Sequence, residues 1–149
     1  MMDRSQLARE YFLNGANCAQ AVLCAFAQEC QLNETEAMRL ASGFGGGMGR
    51  MREVCGAVSG MILVANILCG NGDKSDKKAK DAHYALIQKL AGKFREQNGS
   101  IICRELLGLE KTVRTSLFLK SVQSLITKSG PARNWSPSLP GSSKLNWGR

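Results

Sequence analysis

A chain of 149 residues with 44% hydrophobic content suits one globular domain with one core. Aromatic residues make up only 6%, so the core draws on Leu, Ile, Val, Met and Ala, and the first proline is Pro131, which frees the preceding chain of the strongest helix breaker. The formal charge of +8 does not argue for a nucleic-acid binder: residues 1–110 hold 13 Lys and Arg against 12 Asp and Glu, net +1, and residues 111–149 hold seven against none, net +7.

An acid-free basic tail binds anionic surfaces weakly and without sequence preference. The N-terminal residues run into an amphipathic stretch with no apolar leader. The longest apolar run, Val54–Cys69, spans 16 residues and includes Gly56, Ser59, Gly60 and Asn66. That falls short of the roughly 20 residues a membrane span requires. The expectation is a cytoplasmic protein without a membrane span, whose six cysteines are reduced at rest.

Periodicity and capping residues predict an all-α bundle of five to six helices. A short amphipathic helix over Arg4–Leu13 turns Leu7 and Tyr11 inward, with Ala8 and Phe12 beside them, and Asn14-Gly15 ends it. Asn17 caps a second helix over Cys18–Cys30. Asn33 caps a third over Glu34–Ser42, with Glu34 and Glu36 favourably placed in its first turn. Gly43–Gly49 holds five glycines in seven residues and cannot be a stable helix. A fourth helix runs from about Glu53 to Cys69, and a fifth from Asp73 or Ser75 to Gln97. A short sixth over Cys103–Leu107 ends at Gly108. The stretch Thr112–Thr127 carries an apolar stripe through Val113, Leu117, Val122, Leu125 and Ile126. Residues after 128 read as disordered, from their Ser, Gly and Pro content.

Helix geometry sorts the thiols. Cys18, Cys24 and Cys30 are six residues apart and point about 240° from one another in turn. Cys55 and Cys69 share a face but lie about 21 Å apart along the axis. A shared site must therefore take thiols from different helices. Cys18, Cys55 and Cys103 each fall at a predicted helix N-terminus, where unpaired N–H groups and the dipole favour a thiolate. Cys24, Cys30 and Cys69 sit mid-helix or near C-termini and read as core or surface thiols. Structural cysteine stands as the alternative for the first three also, because there is no Cys-x-x-Cys pair.

The glycine loop, with Gly45, Gly46, Gly47 and Gly49, offers either a nest of N–H groups for an anion or a tight turn where two backbones cross. Gly56-x-x-x-Gly60 allows close helix approach. His83 is the lone histidine and reads as solvated on a lysine-rich helix start. There is no Ser/His/Asp set, Walker loop or paired-carboxylate motif.

Four blocks carry a resemblance: Tyr11-Phe12-Leu13-Asn14-Gly15-Ala16-Asn17-Cys18-Ala19-Gln20-Ala21-Val22; Ala41-Ser42-Gly43-Phe44-Gly45-Gly46-Gly47-Met48-Gly49; Val54-Cys55-Gly56-Ala57-Val58-Ser59-Gly60; and Gly99-Ser100-Ile101-Ile102-Cys103-Arg104-Glu105-Leu106-Leu107-Gly108. In this order they resemble the C-GCAxxG-C-C family of redox-active proteins over residues 4–110. The resemblance implies a helical bundle whose signature cysteines, here Cys18, Cys55 and Cys103, bind an iron–sulfur cluster or similar metal for electron transfer, or do thiol redox chemistry; for a metal-free thiol–disulfide enzyme, Cys55 is the expected reactive thiol. It also implies a redox partner protein or oxidoreductase. A second copy of the chain and a non-catalytic, partner-binding role are further expectations. The family's fourth cysteine has no counterpart, since no Cys follows Cys103. The departure coincides with the charge break near Lys111. The expected organisation is thus a domain over 1–110 and a divergent basic tail, foreign to that domain, over 111–149.

Overall fold

The computed structural model describes residues 3–108. The boundary at residue 110, the striped segment Thr112–Thr127 and the tail beyond it lie outside the described residues. Six α-helices form the described part, α1 (Arg4–Leu13), α2 (Cys18–Ala25), α3 (Glu34–Ala41), α4 (Gly56–Cys69), α5 (Lys77–Asn98) and α6 (Cys103–Leu106), with a 3-10 turn over Ser42–Phe44 leading into the glycine loop. The only pairing between extended segments among the described residues is an isolated antiparallel bridge, Val54 with Ile102.

The centre of the bundle is α2, and its sequence explains why. Seven of its eight residues are buried, as expected for a helix that is apolar all round. One face joins a core of Ala8 from α1, Ala37 and Ala41 from α3 and Val64 from α4, packed around Leu23, Cys24 and Phe26. The other meets Ala57, Val58, Met61 and Ala65 of α4, with Leu90 and Phe94 of α5 behind them. Small residues set the spacing. A Cβ on Gly60 would lie 2.8 Å from the Ala19 carbonyl oxygen and 2.9 Å from Val22 Cβ, so α4 reaches α2 only because Gly60 has no side chain.

Several boundaries differ from the sequence expectation. Helix α2 stops at Ala25, and residues 26–31 form turns, with Cys30 buried against the same core and Gln31 at φ 55°. The Phe26 and Ala27 N–H groups bond three residues back, to Leu23 and Cys24, which tightens the exit. Helix α4 starts at Gly56, so Cys55 is its N-cap residue and not part of its first turn. His83 is half-buried rather than solvated: its Nε2 pairs with Asn66 Oδ1 at 2.7 Å, tying α5 to α4. No helix among the described residues is long and apolar enough to cross a membrane.

The glycine loop runs left-handed. Gly46, Gly47, Met48, Gly49 and Arg50 have φ between 60° and 69°, and Arg52 follows at 65°. Such a run costs L-residues about 1–2 kcal/mol each, and three of the first five positions are glycine. Backbone bonds hold it: the Arg50, Arg52 and Glu53 N–H groups donate to the carbonyls of Gly45, Gly46 and Gly47 at 3.2, 3.2 and 3.0 Å.

Candidate thiol centre

Cys18 is placed by the start of α2. Asn17 accepts from the Gln20 N–H, and the Gln20 side chain accepts from the Asn17 N–H, both at 2.9 Å, a reciprocal capping box. The same two side chains clamp this turn to the next layer. Asn17 Nδ2 donates to the Ser42 carbonyl at 3.1 Å, and Gln20 Nε2 to the Met38 carbonyl at 3.0 Å. Gly45 lies against Asn17: a Cβ there would come within 2.6 Å of Asn17 Cβ.

Cys55 and Cys103 are placed by the bridge. The Cys55 N–H donates to the Ile101 carbonyl at 2.8 Å, and the Cys103 N–H to the Glu53 carbonyl at 2.6 Å. This register puts Cys55 opposite Ile101 and Cys103 opposite Glu53, diagonal to each other on one side of the pair. Arg104 reinforces the junction, with Nε on the Arg52 carbonyl at 3.2 Å and its guanidinium paired with Glu53.

Glycines admit the thiols. A Cβ on Gly47 would lie 2.6 Å from Cys103 Cβ, and one on Gly56 would lie 3.0 Å from Cys18 Cβ. Of the two uses open to the glycine loop, the backbone crossing is the one its packing displays: Gly47 is the floor under Cys103. Gly46 lies beside Arg50 and Arg52, while Gly49 sits within the left-handed run without approaching a thiol.

Cys18 and Cys103 share a small apolar cluster with Phe12 and Leu107. Both are buried, at 7% and 5% exposure, whereas Cys55 keeps part of its surface accessible. Chain positions 18 and 103 thus meet in one cluster, and Cys55 stands beside it across the bridge, packed on the neighbouring α4–α5 core. Cys24 and Cys30 are buried apart from them in the α1–α3 core, and Cys69 is exposed, its thiol donating to the Ala65 carbonyl at 3.1 Å.

Electrostatics run against the expectation of easily formed thiolates. Burial pushes the Cys55 thiol up to about 11, opposed by the Ala57 and Val58 N–H groups at the start of α4. Burial also drives Cys18 far up, helped by the charges that Cys55 and Cys103 would carry. Cys103 is raised by burial too, but a hydrogen bond from Arg52 and the charges of Arg52 and Arg104 work the other way. The magnitudes explain the outcome. A helix terminus contributes about 0.3–1 kcal/mol, under one pKa unit, while burial moves a pKa by as much as 3–5 units.

An iron–sulfur cluster requires several cysteine thiolates converging on its irons. The thiol chemistry suits such a group, but among the described residues no three His, Cys, Asp or Glu side chains come close enough together to hold a metal ion. In this arrangement the three thiols do not fit a cluster.

Sequence reasoning missed Arg52. Its signal was the Arg50-Met51-Arg52 run directly after the glycines, next to the extended segment that carries Cys55.

No match to the chain was found among curated proteins or among solved structures. The model of one protein family, described as "Putative redox-active protein (C_GCAxxG_C_C)", matches residues 16–128. That span contains Cys18, Cys55 and Cys103 and continues past residue 110. On this match the chain belongs to the C_GCAxxG_C_C family.

Proposed function

We propose that Cys18, Cys55 and Cys103 form a dithiol–disulfide redox centre in which Cys55 meets the partner. The observation that carries this reading is that Cys18 and Cys103, buried in one cluster, lie beside the bridge that carries the partly accessible Cys55. Two thiols suffice for disulfide exchange, so the lack of a three-ligand metal group is no obstacle to it.

The chemistry balances with a disulfide-bearing partner. Cys55, as thiolate, attacks one partner sulfur; the partner S–S bond breaks, and the second partner sulfur leaves and takes a proton. One of the two buried thiols then attacks Cys55 Sγ, releasing the first partner sulfur as a thiol. Two protein thiols are oxidised and one partner disulfide is reduced. The Ala57 and Val58 N–H groups stabilise the charge on Cys55 during attack. Few thiolates exist at neutral pH with Cys55 near 11, so exchange is slow there and quickens as pH rises.

Incubation with hydroxyethyl disulfide, followed by acid quench and peptide mapping, tests the proposal. A mixed disulfide on Cys55 that resolves to an internal disulfide supports it. Internal bonds confined to Cys24, Cys30 or Cys69 would refute it. Metal and sulfide analysis of protein purified without oxygen separates this reading from the cluster reading: stoichiometric iron and sulfide, lost in Cys18→Ala, would favour the cluster.

A further inference from the structure

We propose that the left-handed loop presents Met48, Arg50 and Met51 as a docking surface for a polypeptide whose disulfide is flanked by apolar and acidic side chains, and that it seats this disulfide beside Cys55. This inference rests on the dithiol reading above and names the class of partner that reading leaves open.

Backbone strain marks these positions. Met48 and Arg50 hold φ of 64° and 66° on either side of Gly49 at 60°. Such angles favour glycine, which has no Cβ to clash. A side chain kept there ordinarily offsets the strain by packing into the core. These two do not: Met48 is 37% exposed, Arg50 is exposed as well, and Met51 beside them stands out at 64%. Scattered exposed apolar residues are ordinary on a protein surface. Two methionines held out together on a strained turn, with the Met51 N–H on the Met48 carbonyl at 3.1 Å, are a different case. Their unbranched thioether side chains adapt to varied apolar partners.

The loop also brings them near Cys55. The Glu53 N–H donates to the Gly47 carbonyl at 3.0 Å, which folds Met48 back beside the segment leading to Cys55. Met51 precedes Cys55 by four residues, a reach of at most about 14 Å. A partner footprint of about 800 Å² has a radius of about 16 Å, so one centred on Cys55 takes in the loop. Charge selects the partner. From Gly43 to Ile62 the one acid is Glu53, and it is paired with Arg104. Arg52 turns its guanidinium to the Gly46 carbonyl. Arg50 lays its stem over Gly46, and its guanidinium has no ion pair or hydrogen bond among the described residues. The rim is therefore positive, which draws acidic partners and turns basic ones away. The step itself is balanced: the Cys55 sulfur, as thiolate, bonds to one sulfur of the partner disulfide, that S–S bond breaks, and the departing sulfur takes up a proton.

The test uses the full chain carrying Cys69→Ser and two kinds of probe. One is hydroxyethyl disulfide, small and neutral. The other is the symmetrical disulfide of a cysteine peptide flanked by Leu and Glu, with analogues in which Lys replaces Glu or Ser replaces Leu. Mixed-disulfide formation on Cys55, located by peptide mapping, gives the rates. The Leu–Glu peptide should react at least about tenfold faster than the Lys analogue at low ionic strength, a ratio that shrinks with added salt, and faster than the Ser analogue at any salt. Arg50→Gln should remove most of the charge preference. Met48→Gly combined with Met51→Ser should remove the preference for Leu. Both should leave the hydroxyethyl disulfide rate unchanged. Met48→Gly alone, which adopts the positive φ freely, should melt no lower than wild type yet react more slowly with the Leu–Glu peptide, a split that a purely structural role would not produce. Equal rates for the three peptides, or preferences that survive these variants, would overturn the docking surface while the dithiol reading stands. Rates that fall together for both kinds of probe would overturn it too, by placing the loop's effect on the thiol itself. If Cys55 reacts with no probe, the dithiol reading fails first and this inference with it.

Discussion

Gly47 and Cys103 lie so close that a methyl group on the first would come 2.6 Å from Cys103 Cβ. The glycine also sits at φ 69°. Gly47→Ala therefore combines backbone strain of about 1–2 kcal/mol with overpacking of about 1–3 kcal/mol. Thermal unfolding should show a fall in Tm matching roughly 2–4 kcal/mol, together with faster labelling of Cys103 as it is pushed off its floor.

Gly60 and Gly92 are both helical glycines with opposite expectations. Alanine favours a helix interior by about 1 kcal/mol in each. At Gly60 the new methyl meets the Ala19 carbonyl oxygen at 2.8 Å, and overpacking wins, so Gly60→Ala should lower Tm. At Gly92 nothing lies within 4 Å among the described residues, so Gly92→Ala should raise stability by about 0.5–1 kcal/mol. Equal effects at the two sites would show that α4 does not rest on α2 as described.

Asn17→Ala removes the capping box and the bond to the Ser42 carbonyl. Caps contribute about 0.5–2 kcal/mol, and the tie to Ser42 puts this one toward the upper end. Chemical denaturation should show that loss, and Cys18 at the loosened turn should become more reactive while Cys30 does not change.

The thiols make stability depend on alkaline pH. Burial raises Cys18, Cys24, Cys30, Cys55, Cys69 and Cys103 in the folded state. A group raised on folding contributes its full stability below the unfolded thiol value of about 8.5. It loses that contribution as pH rises, because the unfolded chain ionises first. For Cys24, Cys30 and Cys55, each near 11, the decline runs from about pH 8.5 to 11. Tm measured anaerobically should be flat below pH 8 and fall through that window; a flat profile to pH 11 would mean the thiols are not desolvated.

Much of this arrangement was legible in sequence. Asn17 and Asn33 announced their helices because capping is a local, side-chain-specific interaction, and both form capping boxes. The trio Cys18, Cys55 and Cys103 was singled out because a glycine lies shortly before each; the turns at Gly15 and Gly99 touch nothing, and the close contacts are made by Gly47 to Cys103 and by Gly56, after Cys55, to Cys18. What stayed hidden depends on tertiary burial. Helix N-termini suggested easy thiolates, but desolvation outweighs a dipole term that sequence position alone can reveal. The left-handed course of Gly46–Arg50 was also invisible, since a glycine run permits many turns and only packing against Cys103 and Asn17 selects one.

The most direct test of the redox centre is a titration in glutathione buffers of stepped potential, with each cysteine quantified by differential alkylation in the Cys69→Ser protein. The account predicts that Cys55 and one buried partner lose free thiol together, in a single two-electron step, while Cys24 and Cys30 remain reduced throughout. Cys55 staying reduced, or titrating alone while Cys18 and Cys103 do not respond, would contradict it.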